Sequence, residues 1–223
     1  MPEERWRTLP DGRRILLKKG RGGPVAVAVG TAVALGASGG FGGTAAVTGS
    51  AGGTSALSAA ESAVIRNIQS NLGKAKRTAR RGDSRSAWQQ LRMRKGRERF
   101  ENAVECAALT YGQVQEFLIG TPCQSIDRWQ YPVSDEAGNT MVVAVSKVTM
   151  RRATDTRKFR RLLDEHGTGD IRPIVALVPF TGHHYDSRTS GRSIISAEAE
   201  PVTGAPADEV LQATAEAAVA LTS

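Results

Sequence analysis

Cys106 and Cys123 are the only thiols in the 223-residue chain, so one intramolecular disulfide is the single pairing open to them. A bond there would put this part of the chain in an oxidising compartment, and the alternative is a pair of buried thiols. His183, His184 and Asp186 have metal-ligand types. Neighbours in an extended strand point to opposite faces, however, and no Cys or Glu cluster supports them, so no metal site is expected. Gly167-Thr168-Gly169-Asp170 has the composition of a phosphate loop, but it follows a helical pattern instead of opening one and has no lysine. His166 reads as a packed or capping residue rather than a general base. No serine or cysteine sits in a nucleophile elbow or a cysteine-protease context. These residues point away from an enzyme, and neither a catalytic residue nor a cofactor is expected.

The remaining set is cationic. Arg85, Arg92, Arg94, Lys95, Arg97 and Arg99 surround Trp88, Leu91 and Met93, and Lys74, Lys76, Arg77, Arg80 and Arg81 precede them. A basic amphipathic segment of this kind binds anionic lipid or a cell-envelope polymer, binds nucleic acid, or is simply a solvated face. Of the net charge of +8, residues 1–23 carry +4, residues 24–105 carry +7 and residues 106–223 carry −3. An anionic partner is therefore expected to meet the N-terminal half, and the globular part is expected to have no basic footprint.

The elements that must position these groups start with a leader. Seven basic residues, Arg5 to Arg21, run into an uncharged Gly/Ala-rich tract, the order in which membrane-directed segments begin. Val25 to Ala46 has the length of a span, about 20 residues, but little bulk beyond Leu35. It reads as a transmembrane segment, with a cleaved signal and a flexible linker as alternatives. The twenty residues after Ala46 hold one basic residue, Arg66, against seven before the tract, which favours a cytoplasmic N-terminus and an extracytoplasmic C-terminal part.

Ala59 to Ala79 carries a helical stripe of Val64, Ile65, Ile68 and Leu72. Ser84 to Gly120 reads as a second, longer helix, with Phe100, Val104, Ala107, Tyr111, Val114 and Leu118 on one side. Gly120 and Pro122 end it. Ser125 to Val133 and Thr140 to Met150 form a hairpin about Asp135 to Asn139, the second strand apolar on both faces from Val142 to Val145 as a covered central strand would be. Thr154 to His166 is amphipathic and stops at Gly167. The run Ile174 to Phe180 is a short strand or a buried loop. His183 to Arg188 and Ser193 to Glu200 form a second hairpin, with Ile195, Ala197 and Ala199 on one face and Ile194, Ser196 and Glu198 on the other. A last helix follows Pro206, with Val210, Leu211, Ala218 and Leu221 as its apolar side.

The expected fold class is α+β: an antiparallel four-stranded sheet of two hairpins, each followed by a helix on a common face, packed with a long preceding helix and with the N-terminal third non-globular. The division is 1–23 basic segment, 24–60 candidate transmembrane segment and linker, 61–99 basic helical region and 100–223 α+β domain. In that arrangement Cys106 lies about 18 Å back along its helix from Leu118, and residues 119–123 must fold back for the bond to form.

Glu105-Cys106, Tyr111-Gly112-Gln113-Val114, Thr121-Pro122-Cys123, Gly138-Asn139-Thr140, the Gly167 to Asp170 loop and Tyr185-Asp186-Ser187-Arg188, behind a basic Gly/Ala-rich leader, resemble uncharacterised membrane-associated proteins of high-GC Gram-positive bacteria. The resemblance covers roughly residues 85–223 and implies a source and a compartment but no mechanism. The expected function is a non-enzymatic, single-pass membrane-anchored protein presenting a small extracytoplasmic interaction domain. The alternative is a soluble nucleic-acid-binding or phage-type structural protein that uses residues 74–99.

Overall fold

The structure is a computed structural model that describes residues 57–222 and, for the backbone alone, residues 5–8 and 14–17. In the N-terminal unit, β1 (Arg5–Thr8) pairs antiparallel with β2 (Arg14–Leu17), so two of the basic stretches are strands. The candidate span Val25 to Ala46 lies outside the described residues.

Residues 57–222 fold as a single unit of their own. Ser58 opens α1 (Ala59–Ala79) with a capping box: its hydroxyl accepts from the Glu61 amide while the Glu61 carboxylate accepts from the Ser58 amide. Gly82, at φ 86°, turns the chain, and Asp83 caps α2 (Ser84–Gln90) by accepting from the Ser86 amide at 2.9 Å.

The long helix expected from Ser84 to Gly120 does not form. After Leu91 the chain turns through Arg92, which takes a left-handed φ of 61°, and continues as β3 (Arg94–Lys95), β4 (Arg99–Ala103), a 3-10 turn (Cys106–Leu109) and α3 (Gly112–Gly120). Two tertiary demands override the helical periodicity. Trp88, Leu91 and Met93 all bury completely, which the left-handed turn between them permits. The 12-residue strand β5 (Cys123–Ser134) also offers a ladder of backbone groups that β3 and β4 satisfy.

β5 pairs with β6 (Thr140–Met150) across the expected turn, and β6 pairs with β8 (Ser193–Thr203), which carries β7 (Tyr185–Ser190) on its outer side. The sheet has six antiparallel strands, two more than expected, because β3 and β4 extend its edge beyond β5. The two hairpins and the helices after them, α4 (Ala153–Leu163) and α5 (Asp208–Leu221), stand as the sequence indicated.

Those helices do not share a face. Helices α1, α2 and α5 cover Tyr131, Val133, Met141, Val143, Val145, Ile195, Ala197 and Ala199. On the other face α3 and α4 pack Val114, Leu118, Phe159 and Leu163 onto Ile126, Val148, Met150 and Ile194. Coverage on both sides is what the unbroken Val142 to Val145 run requires of β6. It also means that α1 and α2 belong to the folded unit, not to a separate basic region. Residues 57–105 carry +7 and residues 106–222 carry −3, so the folded unit is at +4 and is basic, contrary to the expectation for 100–223 taken alone.

Candidate functional site

Half of the second face has no helix over it. There the successive rungs Arg128/Ser146/Ser196, Gln130/Ala144/Glu198 and Pro132/Val142/Glu200 turn polar and lie under the irregular segment 164–184. A loop lying on a sheet brings backbone N–H and C=O groups that need partners, and these side chains supply them. The Gln130 amide accepts from the Val175 amide at 2.7 Å and donates to the Val175 carbonyl at 2.8 Å, a ladder rung made by a side chain. Arg128 donates to the Arg172 carbonyl at 2.6 Å and pairs with Glu101. Glu198 accepts from the Gly182 amide, and Glu200 accepts from both the amide (3.0 Å) and the hydroxyl (2.5 Å) of Thr181.

The loop is fixed at its other end by glycines. The Tyr111 amide donates to the Asp170 carbonyl and the Gln113 amide to the Thr168 carbonyl. Gly112 (φ 65°) and Gly169 (φ 105°) face each other so closely that a Cβ on Gly169 would lie 2.1 Å from the Tyr111 carbonyl oxygen. The Gly167 to Asp170 segment is therefore a docking turn between the α3 and α4 regions.

Between loop and sheet is a cavity of about 30 Å³, room for roughly one water, lined among others by Arg128, Ser146, Asp170, Tyr185, Ser196 and Glu198. The Ser146 and Ser196 hydroxyls bond each other at 2.7 Å. Burial raises the Glu198 carboxyl to about 8, with Asp170 and Glu200 adding to the rise, and burial raises Asp170 to about 6. Arg128 is 6% exposed and its Nε has no partner among the described residues. Ser196 and Glu198 were legible as the face of β8 opposite Ile195 and Ala197. What the sequence did not show is that a loop closes over them, although the apolar Ile174 to Phe180 run was the available signal.

The cysteines are bonded, with Cα atoms 6.2 Å apart. The route differs from the expected one. Cys106 lies in the 3-10 turn and Cys123 opens β5, so the chain leaves through α3 and returns, and no run back along a helix is needed. The six cationic residues named for a polyanion are not equivalent. Lys95 is turned inward, its side chain 8% exposed, with its ammonium 4.1 Å above the Tyr131 ring and bonded to Ser84 and Glu98. Arg92 pairs with Glu136 at 3.4 Å. Arg85, Arg94, Arg97 and Arg99 are exposed.

His166 lies beyond the end of α4, exposed rather than on its apolar side, with its ring stacked on His183 at 5.3 Å between centroids. His184 turns instead to Asp208 (3.2 Å) and Glu200 (3.8 Å). Among the described residues no group of three or more His, Cys, Asp or Glu is placed to hold a metal ion.

Fold and site together define a disulfide-bonded antiparallel α+β domain with a buried carboxyl, Glu198, under a pinned loop. No family model, curated protein or solved structure matches the chain.

Proposed function

We propose that the chain is a non-enzymatic, single-pass membrane-anchored protein that presents the α+β domain of residues 57–222 outside the cytoplasm as an interaction domain. The Cys106–Cys123 bond carries this reading, since such bonds persist in oxidising compartments. The basic-then-apolar order of residues 5–46 supports the anchor. Arg128, Gln130, Glu198 and Glu200 each bond the backbone of the loop, and the cavity beside them is small, which supports binding through the surface rather than chemistry in a pocket.

Among the described residues no helix is long and apolar enough to cross a membrane. The anchor of this reading is Val25 to Ala46, on its length and its basic flank in the sequence. The test is fractionation of cells expressing the full chain. The protein is expected to stay with membranes through a high-salt and a carbonate wash, with the domain open to protease added outside; release by salt alone overturns the anchor.

A further inference from the structure

The acidic half of the domain carries one concentrated patch of cations. Residues 106–222 hold eleven Lys and Arg against fourteen Asp and Glu, yet six of the eleven, Arg151, Arg152, Arg157, Lys158, Arg161 and Arg192, are exposed around α4. Helical spacing puts Arg157, Lys158 and Arg161 on the side away from Phe159 and Leu163, which are buried against the sheet. Arg192 joins the start of the helix: its Nη1 donates to the Arg151 carbonyl at 3.1 Å, and its own carbonyl accepts from the Thr156 hydroxyl at 3.0 Å. Asp155 is taken by Arg152 at 2.8 Å, and among the described residues no acid pairs with Arg151, Arg157, Lys158 or Arg161. Like charges three and four residues apart, and arginines at the positive end of a helix, both work against α4, so folding does not call for this patch.

The patch stands far from where the chain enters the domain. Helix α1 begins beside Ala207, whose amide donates to Glu61 at 2.9 Å, just past the Thr203 end of β8. Thr140 pairs with Thr203 at that end of the β6–β8 ladder and Thr149 with Ser193 at the other, so Arg151 and Arg192 lie about 30 Å away along the strands. Helix α4 also covers the sheet face opposite to α1. A bilayer at the anchor is therefore not what α4 meets. A folded protein partner would need an apolar centre, and none of the exposed large apolar side chains is on α4 or at Arg192. Single-stranded nucleic acid is held by aromatic side chains on which its bases stack, and the outward side of α4 has none. Repeated anionic charge on a flexible chain fits what is left, and five of the six cations are arginines, whose planar forks take phosphate with two donors. We propose that α4 and the turn at Arg192 bind the phosphate groups of a polyol-phosphate chain of the cell envelope. The choice of an envelope polymer rests on the extracytoplasmic placement proposed for the domain.

The purified full chain in non-ionic detergent is titrated against a synthetic poly(glycerol phosphate) over a salt series. The wild type is expected to bind, and to bind more weakly as salt rises. Arg157→Gln, Lys158→Gln and Arg161→Gln together are expected to weaken binding about tenfold or more and to lower the salt slope by about two, at about 0.7 per phosphate contact on a flexible strand, with the near-ultraviolet dichroism of the wild type kept. Arg85→Gln, Arg94→Gln and Arg97→Gln together remove the same charge elsewhere and are expected to change the affinity less than about threefold. No binding by the wild type, or equal losses in the two triple variants, overturns the proposal. So does a polyuronate of matched charge density that binds as tightly, which would take phosphate out of the recognition, or single-stranded DNA that binds more tightly, which would make the ligand a nucleic acid. A chain that ignores the polymer but stays with membranes on fractionation loses this proposal alone. One that binds the polymer but leaves the membranes with salt loses the anchor and the envelope source, and keeps phosphate binding at α4.

Discussion

Glu198 shows how a side chain takes its properties from what lies over it. On an open sheet it would be an ordinary carboxylate; beneath segment 164–184, with Asp170 and Glu200 beside it, it titrates at about 8 against 4.5 in the unfolded chain. Between those values the folded state holds a proton that the unfolded state has lost, so the stability this group contributes is complete below about pH 4.5 and is lost as pH rises through 8. Asp170, raised from 3.8 to about 6, acts in the same direction. Urea unfolding is expected to give a domain more stable at pH 5 than at pH 8 by on the order of 1–3 kcal/mol. Glu198→Gln should remove most of that slope, and a midpoint that rises with pH would contradict a protonated Glu198. Cys106 and Cys123 close a loop of 17 residues. Replacing both with serine should lower stability by about 3 kcal/mol on the chain-entropy view, measured as a shift in the denaturant midpoint.

At the scale of elements, segments whose local pattern and tertiary surroundings agree could be read from the sequence. The alternation in β8, the unbroken apolar run of β6 and the Asp135 to Asn139 turn all required the hairpins that formed. Residues 84–120 were misread because Phe100, Val104 and Tyr111 recur at helical spacing while being exposed, so their periodicity records no common buried face. Trp88 and Leu91 share one helical stripe, but Met93, two residues past Leu91, falls on another face, and a third buried side chain there was the sign of a broken helix. The polar site was half legible for the same reason: the strand face of Glu198 followed from alternation, but an irregular loop leaves no period from which its docking could be inferred. The docking depends on the approach of Gly112 to Gly169. Gly169→Ala would force a Cβ against the Tyr111 carbonyl at a φ that L residues rarely adopt, and should cost on the order of 2–4 kcal/mol. Hydrogen exchange should show the amides of Tyr111 and Gln113 losing protection first.

For the whole molecule, charge and connectivity matter most. A folded unit at +4 with Arg85, Arg94 and Arg97 exposed presents cations that Lys95, seated over Tyr131, does not join. Replacing those three arginines with glutamine should weaken binding to anionic phospholipid vesicles and flatten its salt dependence. Lys95→Gln should instead lower the unfolding midpoint and leave binding nearly unchanged. The connectivity has a temporal side. Helix α1 buries Val64 and Ile68 in a core shared with Val210, Leu211 and Ala218 of α5, and the Glu61 carboxylate accepts from the Ala207 amide 146 residues later in the chain. A ribosome makes the first of these helices long before the last, so throughout synthesis the apolar stripe of α1 has no finished surface to rest on. The layer can close only once its final fourteen-residue helix has been delivered, and a chain that stops short of Asp208 leaves the first helix packed on α2 alone on that side, so it should be cleaved faster by quality-control proteases than the full chain.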